Sequence, residues 1–528
     1  MPELGLSTRR PFDPARLQGT VFQALAQARR EHGAGTIALV DGDERCFTYD
    51  QIILASFALG SALKKGTRAG ECVGVMLPTG AAAALSFFAL SAYGRVPTML
   101  NFTSGLSGLK SALATAQVRR VITARRLVEV AGLHDVVAGL KTDSGADIVY
   151  LEDVRQSLSL ADKLTAAAGR LAPGFFAAKS RASDPAVILF TSGTEGEPKG
   201  VALSHENLLA NVAQARAHFD FYASDTLLNP LPVFHCFGLT VGTLLPLMIG
   251  VRIVTHPTPL QPKEIVRRIR RHNATIVIST DTFINQYARA SEPGDLDSLR
   301  MAVCGAERLR DETRAFLRKK SPVQLLEGYG VTETAPVVAA NQPDANHPGT
   351  VGRMLPGMET RLEPVEGISG AGRLFVRGPN VMLGYIRPDA PGKIVPPKDG
   401  WHDTGDIVAI DDEGFLAIRG RLKRFAKIGG EAVSLAVVEN IATALWPDNA
   451  HAAVAVPDGR KGEQIVLVTN ARDASRVDMV GWAQNHGVAE LALPRRLVLV
   501  DAIPVLATGK TDYVSVQKMA EADEKNIT

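Results

Sequence analysis

Alternation constrains this chain most. In the N-terminal third, Glu71 to Leu77 reads as a strand, Ala81 to Tyr93 as an alanine-rich helix and Arg95 to Leu100 as a strand. A helical stretch near Leu109 to Ala116 follows, then strands at Val118 to Thr123 and Asp147 to Leu151. Strands that take turns with helices imply a parallel sheet covered on both faces. Another helix, Tyr49 to Lys65, is begun by the Thr48/Asp50 cluster. Beyond Asp184 a second alternating series opens with the strand Ala186 to Thr191. The expected class is α/β, with a large N-terminal domain (1–419) of doubly wound sheets whose approximate subdomains are 1–184 and 185–419. A small mobile α+β domain (420–528) is read from the helix Ala432 to Leu445, two strands joined by the Asp458 to Gly462 turn, the helix Met479 to His486 and the strand Arg496 to Val500.

Composition removes several classes. The chain has 528 residues, enough for two to four units. With 46% apolar and 21% charged residues it is neither disordered nor fibrous. A net charge of +3 is too small for a nucleic-acid binder that works through charge alone. Cys46, Cys72, Cys236 and Cys304 lie far apart, which excludes a disulfide scaffold or thiolate zinc site and points to a reducing, cytoplasmic setting. The opening MPELGLSTRRPF holds no apolar core of signal-peptide length.

Two segments bear on membranes. Thr226 to Val251 lacks Asp, Glu, Lys and Arg, but Pro230, Pro232 and Pro246 favour a loop and a short buried helix over a transmembrane span. Ala161 to Asp184 is rich in Ala, Gly and Ser and reads as a surface connector that packs its apolar residues on the protein. Its alternative is peripheral contact with the cytoplasmic face of a membrane, because Lys163, Arg170, Lys179 and Arg181 interleave with Leu164, Leu171, Phe175 and Phe176.

The chemistry concentrates in five loops. In ILFTSGTEGEPKG a buried strand runs into Thr191, Ser192, Gly193, Thr194, Gly196 and Lys199. Glycines free backbone N–H groups for an anion, hydroxyls donate to phosphate oxygens and lysine offsets their charge. The pattern is not the GTPase-type loop, because Pro198 precedes the lysine and Gly200 follows it. GYGVTE sets Glu333 to hold a Mg²⁺ that bridges phosphates, with Tyr329 flanking a base. WHDTGD places Asp406, suited to both hydroxyls of a ribose, after a glycine turn. GRLKRFAKIGGE is densely basic, and ATGKTD carries Lys510 near the C-terminus.

Together, in this order, the five resemble the ATP-dependent adenylate-forming family of acyl-CoA synthetases, peptide-synthetase adenylation domains and firefly luciferase. The resemblance runs from about Phe47 to Asp512. The phrases MLNFTSG, LPVFHCFGLTVG, EGYGVTETAPVV, GTVGRMLPGM and RFAKIGGEAVSL look most like the acyl-[acyl-carrier-protein] synthetase half of bacterial 2-acylglycerophosphoethanolamine acyltransferase. No His-x-x-x-x-Asp signature stands in the N-terminal segment, so only the ligase half is expected here.

The resemblance implies roles residue by residue. Thr191, Ser192, Gly193, Thr194, Gly196 and Lys199 would cradle the β- and γ-phosphates of ATP. Thr332 would touch the α-phosphate and Glu333 would hold Mg²⁺. Gly305, Ala306 and Glu307, with Gly328, Tyr329 and Gly330, would enclose the adenine, while Asp406 and Arg421 would grip the ribose. His235 would line the acyl entrance, a structural histidine being the alternative. Lys510 would bridge the attacking carboxylate and the α-phosphate, and after a swing about Leu422-Lys423, Lys427 would serve thiol attack.

Two features depart from the family pattern. Glu195 and Glu197 make the phosphate loop unusually acidic, and Trp401 stands one residue too far from Asp406. The expected reaction is activation of a medium- or long-chain fatty acid by ATP and transfer to the phosphopantetheine of acyl carrier protein, with coenzyme A as the alternative acceptor. Arg424, Lys427, Arg460 and Lys461 would suit an acidic carrier or a coenzyme phosphate. A non-catalytic adenylate-binding relative would be expected to have lost Lys510, Glu333 or Asp406, and none is lost. No Gly-x-Gly-x-x-Gly follows an early strand, so nicotinamide binding has no support.

Overall fold

The computed structural model describes residues 9–191, 198–428, 431–458, 462–486, 488, 490–505 and 511–525. The apolar runs of the N-terminal third form the strands Cys72–Val75, Val96–Met99, Arg120–Thr123 and Asp147–Tyr150, and the helices Ala81–Ala92 and Gly105–Thr115 stand between them. Thr48 caps the helix Tyr49–Leu63. Its hydroxyl accepts the Gln51 N–H while the Gln51 amide oxygen accepts the Thr48 N–H. Asp50 instead pairs with Arg29 and Arg170.

Among the described residues the strands make four sheets. The eight-stranded sheet runs Ala390–Val395, Gly384–Arg387, Lys199–Ser204, Pro185–Thr191, Val96–Met99, Cys72–Val75, Arg120–Thr123, Asp147–Tyr150. The nine-stranded sheet runs Arg353–Met354, Val337–Ala340, Gln324–Gly330, Met301–Cys304, Ile276–Ser279, Thr226–Asn229, Arg252–Thr255, Ile37–Val40, Cys46–Thr48. Neither sheet is continuous in sequence: the hairpin Ile37–Thr48 joins the later strands, and Gly384–Val395 returns to the earlier ones. In the nine-stranded sheet the central strands pair in parallel and antiparallel ones sit at both edges. In the eight-stranded sheet the strands from Pro185–Thr191 to Asp147–Tyr150 pair in parallel, and those from Pro185–Thr191 to Ala390–Val395 are antiparallel. Thr226–Asn229 and Ile276–Ser279 are buried at every position, as a sheet covered on both faces requires. Each such aliphatic side chain contributes about 1.5–3 kcal/mol by leaving water.

The chain divides into two compact units, one running to Glu359 and including Arg377–His402, the other comprising Thr360–Val376 and the chain from Asp403. The second holds a four-stranded sheet (Glu359–Val365, Ile368–Arg377, His402–Ile410, Leu416–Arg421). It also holds a sheet of Phe425–Ile428, Glu431–Ser434, His451–Asp458, Gly462–Thr469 and Arg496–Leu499, with the helices Leu435–Leu445, Arg476–Asn485 and Tyr513–Lys525. The helix expected from Ala432 thus starts at Leu435, because the preceding residues pair as a strand.

One expectation changes and another gains detail. The segment 161–184 is not a connector. Leu160–Leu171 is a helix with Ser159 as its cap, and Pro173–Phe176 is a further short turn of helix. Its large apolar side chains do not pack on the protein. Asp162, Ala166 and Gly169 do, and a Cβ on Gly169 would stand 2.6 Å from the Phe57 ring. Within 226–251, the expected loop is followed by a π-helix, Phe237–Leu244, which runs into the α-helix Leu245–Ile249. Asn229 fixes that junction, its amide donating to the Gly238 carbonyl at 3.0 Å. No helix among the described residues is long and apolar enough to cross a membrane.

Candidate active site

In the larger unit, Pro185–Thr191 returns as Lys199–Ser204, with Thr191 opposite Lys199. The hairpin therefore sets Thr191 and Lys199 side by side at the ends of its two strands. Ser192, Gly193, Thr194 and Gly196, with Glu195 and Glu197, lie outside the described residues. Next to Lys199–Ser204 runs Gly384–Arg387, which places Tyr385 opposite Val201. The Lys199 ammonium stands 5.6 Å from the Tyr385 ring centroid, a cation–π distance. The Tyr385 hydroxyl donates to Glu333 Oε1 at 2.6 Å. A cation, a phenol and a carboxylate thus converge where a phosphate and its counter-ion would meet.

Glu333 sits in the single turn Thr332–Thr334 that ends Gln324–Gly330. Three contacts hold that turn: the Met382 N–H donates to the Glu333 carbonyl at 2.8 Å, the Asn380 amide to the Thr334 carbonyl at 2.7 Å, and the Thr334 hydroxyl to the Pro336 carbonyl at 2.5 Å. Sequence reading had no signal for Tyr385. It lies 52 residues from Glu333, and only the antiparallel pairing of its strand brings it there.

The loop expected to meet a base follows Met301–Cys304. A Cβ on Gly305 would stand 3.4 Å from the Gly328 carbonyl and 3.5 Å from the Phe237 ring, so loop, strand end and π-helix meet here. Ala306 adopts φ 67°, a left-handed conformation unusual for alanine and typical of strained functional turns. Gly330 is required by its neighbours, since a Cβ there would lie 2.1 Å from the Pro336 carbonyl. Tyr329, between Gly328 and Gly330, is buried.

Three carboxylates secure the loop from behind. Glu307 accepts from Thr282 N (3.0 Å) and Thr282 Oγ1 (2.8 Å), which commits its carboxylate to the neighbouring helix start. Asp281 accepts from the Arg310 N–H at 3.0 Å. Glu327 accepts from the Leu309 N–H at 3.0 Å and from Arg314 at 2.9 Å. Burial holds the Glu327 carboxyl above the usual carboxylate range, while the Leu309 N–H and Arg314 pull it back.

His235 is half-buried in the turn before the π-helix, its ring 4.8 Å from that of Phe234. The neighbouring Cys236 contacts Thr240 Oγ1 at 3.6 Å. Burial pushes its thiol up to about 12, and Glu333 adds to that shift, so it is a neutral wall residue rather than a nucleophile. π-Helical turns recur at functional sites because the extra residue re-aims side chains.

In the second unit, Asp406 and Arg421 are register partners, with the Arg421 Nε–H donating to Asp406 Oδ1 at 3.0 Å. Asp406 is buried and Arg421 exposed. Lys427 is exposed on its strand. Arg424 is not: it donates to the Ala453 carbonyl and to Glu439, both at 2.6 Å, and lies 3.7 Å from the Tyr513 ring centroid. It is a structural tie of this unit rather than a surface cation for an incoming thiol. Arg460, Lys461 and Lys510 lie outside the described residues.

A model of the family described as AMP-binding enzyme matches residues 25–386. The chain belongs to that family. A long-chain-fatty-acid–CoA ligase of Salmonella typhimurium is 32% identical over 342 residues, 62% of this chain and 60% of that protein, so the chain matches about three fifths of such relatives' length. 4-Coumarate–CoA ligase 5 of Oryza sativa subsp. japonica is 29% identical over 533 residues, covering 97% of this chain and 94% of the relative. ATP-bound MatB from Rhodopseudomonas palustris has a TM-score of 0.81 at 24% identity, over 95% of this chain and 99% of that one, a likeness of fold.

The donor set of this AMP-binding enzyme family member suits Mg²⁺. Among the described residues no group of three or more His, Cys, Asp or Glu side chains is gathered to hold a metal alone. Mg²⁺ is usually held by one or two carboxylates together with substrate phosphates and water, and Glu333 offers such a carboxylate.

Proposed function

We propose that this chain activates a medium- or long-chain fatty acid with ATP as acyl-AMP and transfers the acyl group to the phosphopantetheine thiol of acyl carrier protein, at the cytoplasmic face of a membrane. The observation that carries the reading is the Lys199–Tyr385–Glu333 cluster at the base of the Thr191/Lys199 hairpin. A positive charge and a carboxylate held together by one phenol are what a phosphate chain with its metal ion needs. Similarity to CoA ligases favours coenzyme A as the alternative acceptor, which presents the same reactive arm.

In the first step a carboxylate oxygen of the acid attacks the α-phosphorus and the bond to the β-phosphate breaks, releasing pyrophosphate. Lys199, Thr191 and the residues between them bind the β- and γ-phosphates. Thr332 donates to the α-phosphate, and Tyr385 orients the Glu333 carboxylate. Glu333 would hold a Mg²⁺, which would supply Lewis-acid stabilisation of the phosphate charge. Gly305, Ala306 and Tyr329 receive the adenine, Asp406 and Arg421 the ribose. Lys510 meets the charge that grows on the pentavalent centre, a fixed cation acting where charge develops. In the second step the acceptor thiol attacks the acyl carbon, AMP leaves, and Lys427 assists. His235 lines the acyl entrance.

ATP–pyrophosphate exchange across a ladder of carboxylic acids, followed by product analysis with carrier protein and coenzyme A side by side, tests the proposal. Exchange that depends on a fatty acid, with acyl-carrier product, is expected. Acyl-CoA alone would transfer the reading to the alternative acceptor. Nucleotide binding without exchange would overturn both and leave a non-catalytic adenylate-binding protein.

A further inference from the structure

The helix Leu160–Leu171 packs by its small side and turns its large apolar side chains to water. Asp162, Ala166 and Gly169 are buried, with Gly169 against Phe57 of the helix Tyr49–Leu63. Leu160, Leu164 and Leu171 occupy positions i, i+4 and i+11, which at 3.6 residues per turn lie within about 40° of one another. They are 72%, 62% and 74% exposed. Phe175, 82% exposed, and Phe176, also exposed, follow in the short turn after the helix end. Single exposed leucines are ordinary, but five bulky exposed apolar side chains within seventeen residues, three of them on one helix face, are not.

Charge identifies the occupant. Arg181 is paired with Asp184 at 2.9 Å, and between residues 160 and 180, the span of these side chains, the chain has three cations, Lys163, Arg170 and Lys179, and one carboxylate, Asp162. That carboxylate is buried under the helix, where Lys65 at 2.8 Å and the Ser61 and Ser159 hydroxyls at 2.7 Å hold its pKa well below the usual range. Arg170 reaches back to Asp50, while Lys163, on the same helix as the leucines, and Lys179, three residues beyond Phe176, stay exposed. We propose that this face docks on an anionic lipid surface, with Leu160, Leu164, Leu171 and Phe175 entering the headgroup–acyl boundary and Lys163 and Lys179 meeting lipid phosphates. Interfacial helices combine these two features, an apolar stripe and cations at its flank. A second copy would bring like charges together.

The proposal gives the membrane contact in the proposed function a specific face. Its test needs neither ATP nor fatty acid, so either can fail without the other. The full chain is mixed with vesicles of phosphatidylcholine, with and without a quarter of phosphatidylglycerol, and sedimented at low and high salt. Binding is expected to the anionic vesicles, weakened by salt. Leu164→Gln with Phe175→Ser should weaken it at least about 10-fold, and Lys163→Gln with Lys179→Gln should abolish the preference for phosphatidylglycerol. ATP–pyrophosphate exchange with a water-soluble acid, or thermal unfolding if exchange is absent, verifies that the variants fold. Absence of wild-type binding, equal binding by the leucine–phenylalanine variant, or a dimer or carrier-protein complex that Leu164→Gln dissolves would overturn the proposal.

Discussion

Replacing Tyr385 by phenylalanine removes one oxygen and leaves the ring in place. The hydroxyl donates to Glu333 Oε1 at 2.6 Å, and the ring lies under Lys199. A hydrogen bond to a charged group contributes about 1.5–3 kcal/mol. Glu333 is only half-buried, so water replaces part of the loss and the lower end applies. At about 1.4 kcal/mol per tenfold, Tyr385→Phe should raise the concentration of Mg²⁺ and ATP needed for half-maximal pyrophosphate exchange about 10-fold. The fatty-acid dependence should not move. Tyr385→Leu also loses the cation–π contact, a further 0.5–1 kcal/mol or so. Exchange measured over a matrix of Mg²⁺, ATP and acid concentrations separates these terms. If Tyr385→Phe keeps the wild-type Mg²⁺ dependence, or loses only apparent affinity for the acid, the assignment of this cluster to the phosphates is wrong.

Three further outcomes are expected. Lys510→Ala should slow adenylation roughly 10²–10³-fold and thioester formation from presynthesised acyl-AMP far less, so equal slowing of the two half-reactions would contradict its role. Arg424→Ala strips a half-buried charge partner from Glu439 and a cation from the Tyr513 ring; calorimetry should show the C-terminal unit destabilised by about 1–3 kcal/mol, with the larger unit unchanged. The buried His205 ring accepts the Val21 N–H, and burial lowers its pKa to about 4. Its unfolded value is about 6.5, so the unfolded chain binds more protons between those values and stability falls as pH drops through that window. Urea unfolding of the larger unit should lose about 2 kcal/mol from pH 7 to pH 5 through this group, a component that His205→Gln removes.

What the sequence made legible was local. A strand such as Cys72–Val75 is written in its own residues, and the Thr48 cap needs only Gln51 three positions on. Convergence was less visible. Tyr385 joins Glu333 because Gly384–Arg387 pairs with Lys199–Ser204, and no periodicity states which distant strand will be a neighbour. The helix Leu160–Leu171 was hidden for a different reason. Its small residues read as a linker, yet they are what lets it approach Phe57, and its leucines face water, so the apolar pattern marks the side that does not pack. Arg424 looked like surface charge because its partners, Glu439, Ala453 and Tyr513, come from three separate elements.

Oxygen transfer probes the central claim at the bond itself. A fatty acid carrying ¹⁸O in both carboxylate oxygens, turned over with ATP and the acceptor thiol, should leave one labelled oxygen in AMP and none in pyrophosphate. Label in pyrophosphate or inorganic phosphate, with ADP as the nucleotide product, would mean that the carboxylate attacks another phosphorus, and the account of this site would fail.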